Sequence, residues 1–159
     1  MIRVLLVDDH AVVRMGFRLL LESTAEMSVI AEADSGEAAC QLYFEFNPDV
    51  VVMDLAMPGM GGLEALRRIR ARHAQAQVLT LSAHDDPIHA RRALQEGALG
   101  FLSKRSAPEA LLEAVTMVAA GRRYLDPPLA QKLALAEFDG EPSVDELRAR
   151  ALTMSLATS

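Results

Sequence analysis

Residues 50–62, with the sequence VVVMDLAMPGMGG, decide the fold and mark the place where its chemistry is expected. Residues 50–53 form an unbroken apolar run, which is typical of a strand buried on both faces of a parallel sheet. Asp54 follows this run directly, and the Gly- and Pro-rich residues after it predict a loop. Because functional groups of open α/β sheets lie at the carboxyl ends of strands, Asp54 is predicted to be a placed, reactive carboxylate.

Apolar runs alternate with helical patterns along most of the chain. Strands are predicted at residues 2–7, 29–33, 50–53, 78–81 and 99–102. A helical segment follows each strand, so the pattern predicts a parallel sheet with helices on both faces, either Rossmann-like or flavodoxin-like. Acids at the ends of the first and third strands favour a flavodoxin-like, doubly wound five-stranded α/β sheet in the order 2-1-3-4-5, because its switch point lies between those strands.

The alternation stops after Gly121, and this sets the expected domain boundaries. A chain of 159 residues suits one domain with a short appendage. We predict a domain over residues 1–121, a linker helix and linker over 122–142, and a short tail over 143–159 that is truncated or partly disordered. The extra C-terminal helix is expected at 129–136, where a helical pattern follows Asp126 and two prolines.

Composition excludes several classes of protein. The chain has 51% apolar and 24% charged residues, a globular balance, and its net charge of −6 disfavours a surface devoted to nucleic acid. No apolar run approaches the roughly 20 residues of a membrane span. The single cysteine, Cys40, has no partner for an internal disulfide. These features predict a cytoplasmic protein without a membrane partner.

Four strand ends carry groups that complement one another. Asp8 and Asp9 follow the first strand, Asp54 the third, Ser82 the fourth and Lys104 the fifth. Carboxylates gathered at one edge repel one another by about 4 kcal/mol per pair at ~4 Å, so a positive group is expected among them. A hard divalent ion such as Mg²⁺ suits oxygen ligands. A carboxylate beside a divalent ion, a lysine and a hydroxyl is equipped to accept a phosphoryl group.

These motifs resemble the receiver domain of a two-component response regulator. The matching residues are Asp8 with Asp9, MDLAMPGMGGLE at 53–64, Ser82 with Ala83, and GALGFLSK at 97–104. The segments DDHAVVR at 8–14 and GRRYL at 121–125 further resemble the NarL/FixJ subfamily, which carries a LuxR-type output domain. The resemblance covers the first 121 residues.

The resemblance implies a role for each site residue. Asp54 is the expected phosphoacceptor and takes its phosphoryl group from a sensor histidine kinase. Asp9 and Asp54 are expected to bind Mg²⁺ (or Mn²⁺) directly, together with the backbone carbonyl of Ala56, while Asp8 contributes through water. Lys104 is expected to pair with the phosphate.

The resemblance also implies a conformational switch and a means of tuning it. Ser82 is expected to turn toward the phosphate, and Phe101, the aromatic switch residue, is expected to move inward with it. These movements are expected to favour a conformer that differs from the resting one in the face between the fourth helix and the fifth strand. Because Phe101 has no hydroxyl, its preference rests on packing alone. Ala56 offers no side chain to shield an acyl phosphate from water, whereas His84 is placed to do so. The Lys104–Arg105 bond is predicted to be trans, because a cis bond without proline costs ~3–4 kcal/mol.

The resemblance does not extend to an output domain. Few residues follow Pro142, and they include only two basic residues, Arg148 and Arg150, too few for a helix-turn-helix domain. The output domain is therefore expected to be missing from this chain, and DNA binding is expected only through that domain. Two interpretations stay open: a truncated transcription regulator, and a stand-alone receiver acting by protein–protein interaction. A homodimer formed on phosphorylation is a further expected partner.

A phosphatase of the haloacid dehalogenase type is the alternative from another class, since it also uses an aspartate nucleophile with Mg²⁺. That family places a second aspartate two residues after the first as general acid, and here this position is Ala56. The chain is therefore predicted to be a signalling switch and not an enzyme, with slow self-dephosphorylation at most. A dinucleotide site is disfavoured because GMGG at 59–62 does not match G-x-G-x-x-G.

Overall fold

A computed structural model describes residues 1–83 and 87–139, which form one parallel sheet flanked by helices. The strands are β1 (Ile2–Val7), β2 (Met27–Ala33), β3 (Val50–Asp54), β4 (Val78–Ser82), β5 (Gly100–Ser103) and β6 (Tyr124–Leu125). The helices are α1 (Ala11–Leu21), α2 (Gly36–Phe46), α3 (Gly62–Arg72), α4 (Pro87–Gln95), α5 (Ala107–Ala119) and α6 (Pro127–Asp139). The five predicted strands are all present, and their ends agree with the prediction to within two residues.

The strands follow the order β2-β1-β3-β4-β5-β6, and every neighbouring pair is parallel. This confirms the flavodoxin-like α/β fold and the order predicted for the first five strands. The sixth strand was not predicted. Tyr124 and Leu125 pair with Gly100 and Phe101, so residues predicted as linker extend the sheet by one edge strand.

Side chains from alternate strand positions fill two hydrophobic cores, one on each face of the sheet. Along β1, Val4 and Leu6 pack on the face covered by α1 and α5, and Leu5 and Val7 pack on the opposite face. All four are 0% exposed. Burial on both faces is the reason why the strand is continuously apolar instead of alternating with polar residues.

Helix α6 packs against the domain beside α4 and β5. Leu129 is 0% exposed and belongs to the same core as Phe101 of β5 and Ala90 of α4. Leu125 and Leu133 pack against that core as well. The segment after Gly121 therefore covers the end of the sheet where β5 lies.

Replacing Leu129 with alanine is expected to lower the free energy of unfolding by about 2–5 kcal/mol, because it removes a fully buried side chain and leaves a cavity. Leu135 on the same helix is 56% exposed, and Leu135→Ala is expected to change stability by less than about 0.5 kcal/mol. Urea denaturation of the whole chain measures both. Equal small effects for the two variants would contradict the packing of α6 on the domain.

Two further expectations concern the backbone and the membrane. The described residues contain no cis peptide bond, which confirms the predicted trans bond between Lys104 and Arg105. Among the helices in the described part of the chain, none is long and apolar enough to cross a membrane.

Candidate functional site

The carboxyl ends of β1 and β3 bring three carboxylates together. These strands are neighbours, with Val7 opposite Met53, so Asp8 and Asp9 emerge beside Asp54. Asp8 is 0% exposed and Asp54 is 1% exposed, whereas Asp9 keeps about a fifth of its side chain in solvent. One ligand atom from each of Asp8, Asp9, His10 and Asp54 lies within 4.8 Å of all the others. The predicted acidic cluster is thus present in the structure.

Lys104 supplies the positive charge between the buried carboxylates. Its Nζ lies 2.9 Å from Oδ2 of Asp8 and donates a hydrogen bond of 3.0 Å to Oδ2 of Asp54. The lysine follows β5, and its backbone N–H donates to the Ser82 carbonyl at the end of β4. Adjacent strand ends therefore aim the lysine across the edge of the sheet at the acids.

The surroundings shift the pKa of both partners. Burial raises the pKa of Asp54, and the hydrogen bonds from the Ala56 N–H and from Lys104 oppose this shift only in part. Burial alone would lower the pKa of Lys104, but its bonds to Asp8 and Asp54 outweigh burial and raise it. Lys104 is therefore charged at neutral pH, whereas ionisation of the buried Asp54 costs free energy.

In the metal-free protein, Asp54→Asn is expected to raise the free energy of unfolding at neutral pH by on the order of 1 kcal/mol. Because the pKa of Asp54 is higher in the folded state than its ordinary value of 3.8, the folded protein binds this proton more tightly. Ionisation of Asp54 therefore destabilises the fold, increasingly as pH rises from 3.8 through the folded-state pKa. The gain should shrink as pH falls toward 3.8.

Urea denaturation in excess EDTA at neutral and at acid pH measures this effect. Asp49→Asn, which alters an exposed carboxylate, provides the control for removing one negative charge. A gain of the same size at every pH would contradict the assignment to Asp54 ionisation.

The loop after Asp54 is fixed by close backbone contacts. The Ala56 N–H donates to Oδ1 of Asp54 at 3.0 Å, and the Gly62 N–H donates to the Leu55 carbonyl at 3.3 Å. A Cβ placed on Gly62 would lie 2.1 Å from the Asp54 carbonyl oxygen, so only glycine allows this approach. Glycine at the start of α3 therefore helps to set the position of Asp54.

The other predicted site residues lie at or near the same edge. Ser82 is the last residue of β4 and is 4% exposed, and Ala56 is exposed at the mouth of the site. Phe101 is 0% exposed, so its ring is already packed inward against the core. His84 lies outside the described residues.

Sequence reasoning missed two residues of the site. His10 Nδ1 lies 3.1 Å from Oδ1 of Asp9 and 3.6 Å from Oδ1 of Asp8. Arg14 Nη1 donates to the Asp8 carbonyl at 2.7 Å, and its Nε donates to Glu32. Val13 and Phe17 recur at helical spacing, and this periodicity predicts that Arg14 lies on the solvent side of α1. Their closeness in the sequence could have indicated them, since both residues lie within six positions of Asp8 and Asp9.

The donor set fits a hard divalent ion. Oδ2 of Asp8 faces Lys104 Nζ at 2.9 Å and Oδ1 of Asp9 faces His10 Nδ1 at 3.1 Å, and both oxygens are shielded from solvent. A carboxylate has about four lone-pair sites, so these acids can accept a metal ion beside the basic groups, and carboxylate oxygens are the ligands that Mg²⁺ prefers. An incomplete protein cage also leaves positions for water and a phosphate oxygen.

Comparison with known proteins identifies the class to which this fold and site belong. The family model described as response regulator receiver domain matches residues 4–116. The chain belongs to this family, a family of signalling switches in two-component systems, which confirms the resemblance read from the motifs.

Individual relatives place the chain within the family. It is 41% identical over 145 residues to response regulator GacA of Pseudomonas viridiflava, covering 91% of this chain and 67% of that protein. It is also 41% identical over 141 residues to response regulator UvrY of Escherichia coli K12, covering 89% of this chain and 65% of that protein. The chain thus spans about two thirds of the length of these curated relatives.

A solved structure agrees with the predicted subfamily. The two-component response regulator of the LuxR family from Aurantimonas sp. SI85-9A1 superimposes with a TM-score of 0.85 at 41% identity. The match covers 87% of this chain and 99% of that one.

Proposed function

We propose that the chain is a phosphorylation switch in which Asp54 accepts a phosphoryl group from a sensor histidine kinase. The observation that carries this proposal is the bridge from Lys104 Nζ to Asp8 and Asp54, two buried carboxylates at neighbouring strand ends. The site thus pairs a nucleophilic oxygen with a fixed cation that is able to bind the incoming phosphoryl oxygens.

In this proposal, Asp9 and Asp54 bind Mg²⁺ directly with the Ala56 carbonyl, and Asp8 contributes through water. Support comes from the carboxylate oxygens gathered at the sheet edge, which include two oxygens of Asp8 and Asp9 that are shielded from solvent. When bound, Mg²⁺ neutralises charge on the transferring phosphoryl group, and Mn²⁺ has the same preference for oxygen ligands.

The transfer itself requires a free Asp54 oxygen. That oxygen forms a bond to phosphorus while the bond from phosphorus to the donor's leaving atom breaks, and the leaving group keeps the electron pair. Lys104, now bonded to Oδ2 of Asp54, turns its Nζ toward the phosphoryl oxygens in this proposal. The product is an acyl phosphate on Asp54.

The phosphorylated state is proposed to act through Ser82 and Phe101. Ser82 lies at the end of β4 beside β5, and Phe101 lies in β5 under α4 and α6, so a shift of the serine hydroxyl toward phosphate alters the packing of this face. Ala56 and His84 are proposed to tune the lifetime of the acyl phosphate. Ala56 does so by leaving the mouth of the site open.

The output is proposed to be transcriptional control through a DNA-binding domain. Support comes from the LuxR-family structural neighbour and from the greater length of the curated relatives. In that case residues 1–121 are the receiver, residues 122–142 are a linker helix and linker, and residues 143–159 are a short tail. The protein is proposed to act in the cytoplasm. A stand-alone receiver that acts by protein–protein contact, or that dimerises on phosphorylation, is the alternative.

The proposal predicts single labelling instead of turnover with acetyl phosphate and Mg²⁺. We expect one phosphoryl group per chain and release of free phosphate too slow for a phosphatase, because the position two residues after Asp54 is Ala56 and supplies no general acid. Intact-mass spectrometry measures the label, and a phosphate-release assay measures turnover. Rapid, repeated release of phosphate would favour the haloacid dehalogenase alternative and contradict the switch.

A further inference from the structure

His10 places a nitrogen donor beside the carboxylates of the proposed metal site. Its Nδ1 lies 3.1 Å from Oδ1 of Asp9, and its backbone N–H donates to Oδ1 of Asp8 at 2.8 Å. We infer that His10 is a further ligand of this site and makes it selective for a late first-row divalent ion, such as Co²⁺, over Mg²⁺. The inference rests on the proposed metal site and adds the choice of ion.

The distance between the two donor atoms suits a shared ion. Neighbouring ligands of an octahedral ion with bonds of about 2.1 Å lie about 3.0 Å apart. The 3.1 Å between His10 Nδ1 and Asp9 Oδ1 matches this separation. All four groups of the cluster, including Asp54, also lie within a span of 4.8 Å. Little movement is therefore needed for His10 and Asp9 to bind one ion.

The position of His10 allows its ring to bind a metal ion at a small cost in free energy. The residue precedes α1, and its hydrogen bond to Asp8 fixes the backbone directly after the acid pair. The side chain is 67% exposed, so the ring lies at the solvent-facing mouth of the cluster. Binding of a metal ion by this exposed imidazole leaves no buried polar atom unpaired.

The type of donor atom determines the choice of ion. Mg²⁺ prefers oxygen ligands and keeps its water in preference to a nitrogen ligand. Imidazole suits late first-row ions, whose affinity rises from Mn²⁺ through Co²⁺ to Cu²⁺. Removal of His10 should therefore weaken Co²⁺ binding and leave Mg²⁺ binding almost unchanged.

A competing interpretation is that His10 only forms an ion pair with Asp9. In that case the ring is a charge partner that any cation displaces, and its removal changes the affinity for Co²⁺ and Mg²⁺ to the same extent. The ratio of the two affinities therefore separates a ligand from an ion-pair partner.

The test compares the unchanged full chain with the variants His10→Ala and His10→Gln. The control variant is His89→Ala, which removes an exposed imidazole from a different place, helix α4. Calorimetric titrations measure Co²⁺ and Mg²⁺ affinity separately. We expect Co²⁺ affinity to fall by about tenfold or more in both His10 variants, with Mg²⁺ affinity within about twofold. The His89 variant should match the unchanged chain.

Pulsed electron paramagnetic resonance of the proteins loaded with one Cu²⁺ per chain provides a second readout, since Cu²⁺ lies at the imidazole-preferring end of the series. Nitrogen modulation from a bound imidazole should appear in the unchanged chain and in His89→Ala, and it should be absent from His10→Ala. Retention of this modulation in His10→Ala, or a fall in Co²⁺ affinity of less than about threefold, would overturn the inference. Failure of the unchanged chain to bind Mg²⁺ would instead overturn the proposed metal site and this inference with it.

Discussion

An Asp54→Asn variant is expected to incorporate no phosphoryl group from acetyl phosphate and Mg²⁺, whereas the unchanged chain incorporates one. The amide lacks the nucleophilic oxygen and the negative charge that binds the metal ion. The variant should fold well, because removing a buried charge relieves the cost that raises the pKa of Asp54. A loss of labelling therefore reports chemistry and not unfolding. Intact-mass spectrometry measures the label.

The matched control is Asp49→Asn. Asp49 lies just before β3 and is exposed, and its Oδ2 accepts the Arg3 N–H. This variant changes the net charge by the same amount close to the same strand, so it should label as fully as the unchanged chain. Labelling of Asp54→Asn at a comparable rate would contradict the assignment of the phosphoacceptor.

A Gly62→Ala variant is expected to lose both stability and labelling. The added Cβ would lie 2.1 Å from the Asp54 carbonyl oxygen and 2.9 Å from the Leu55 Cα, and these are backbone atoms that do not rotate away. The start of α3 and the loop after Asp54 must therefore move apart. Overpacking of this kind costs about 1–3 kcal/mol, and the shift misplaces the nucleophile.

Gly16→Ala provides the control for Gly62→Ala. Gly16 lies within α1, and a Cβ built there meets no atom within 4 Å apart from its neighbours in the chain and the backbone of its own helix. Alanine is the better helix former, so the free energy of unfolding of this variant should rise by about 0.5–1 kcal/mol. The variant should be labelled as fully as the unchanged chain. Urea denaturation and labelling with acetyl phosphate measure both variants. Unchanged labelling by a fully folded Gly62→Ala would contradict the role of this contact.

The fold could be predicted because its parallel strands are buried on both faces. Such strands are continuously apolar, as at residues 50–53, and their carboxyl ends meet at one edge whatever the details of packing. This is why Asp8, Asp54 and Lys104 could be assigned to one site from their positions alone. The structure adds their distances and the burial that raises the pKa of Asp54.

Two-residue elements and side-chain directions could not be predicted in this way. Strand β6 contains only Tyr124 and Leu125, too few residues to show a periodic pattern. Its position depends on pairing with β5, a contact between distant parts of the chain. Arg14 follows the helical period on the solvent side, yet its long side chain reaches back to the Asp8 carbonyl. Contacts of this kind depend on tertiary structure.

The most direct test of the account locates the phosphoryl group. The chain is labelled with acetyl phosphate and Mg²⁺ and then reduced with borohydride, which converts a phosphorylated aspartate into homoserine. Peptide mass spectrometry identifies the converted residue. We expect conversion at Asp54 alone, and at no position when Mg²⁺ is removed with EDTA. Conversion at another aspartate, or equal conversion without the metal ion, would contradict it.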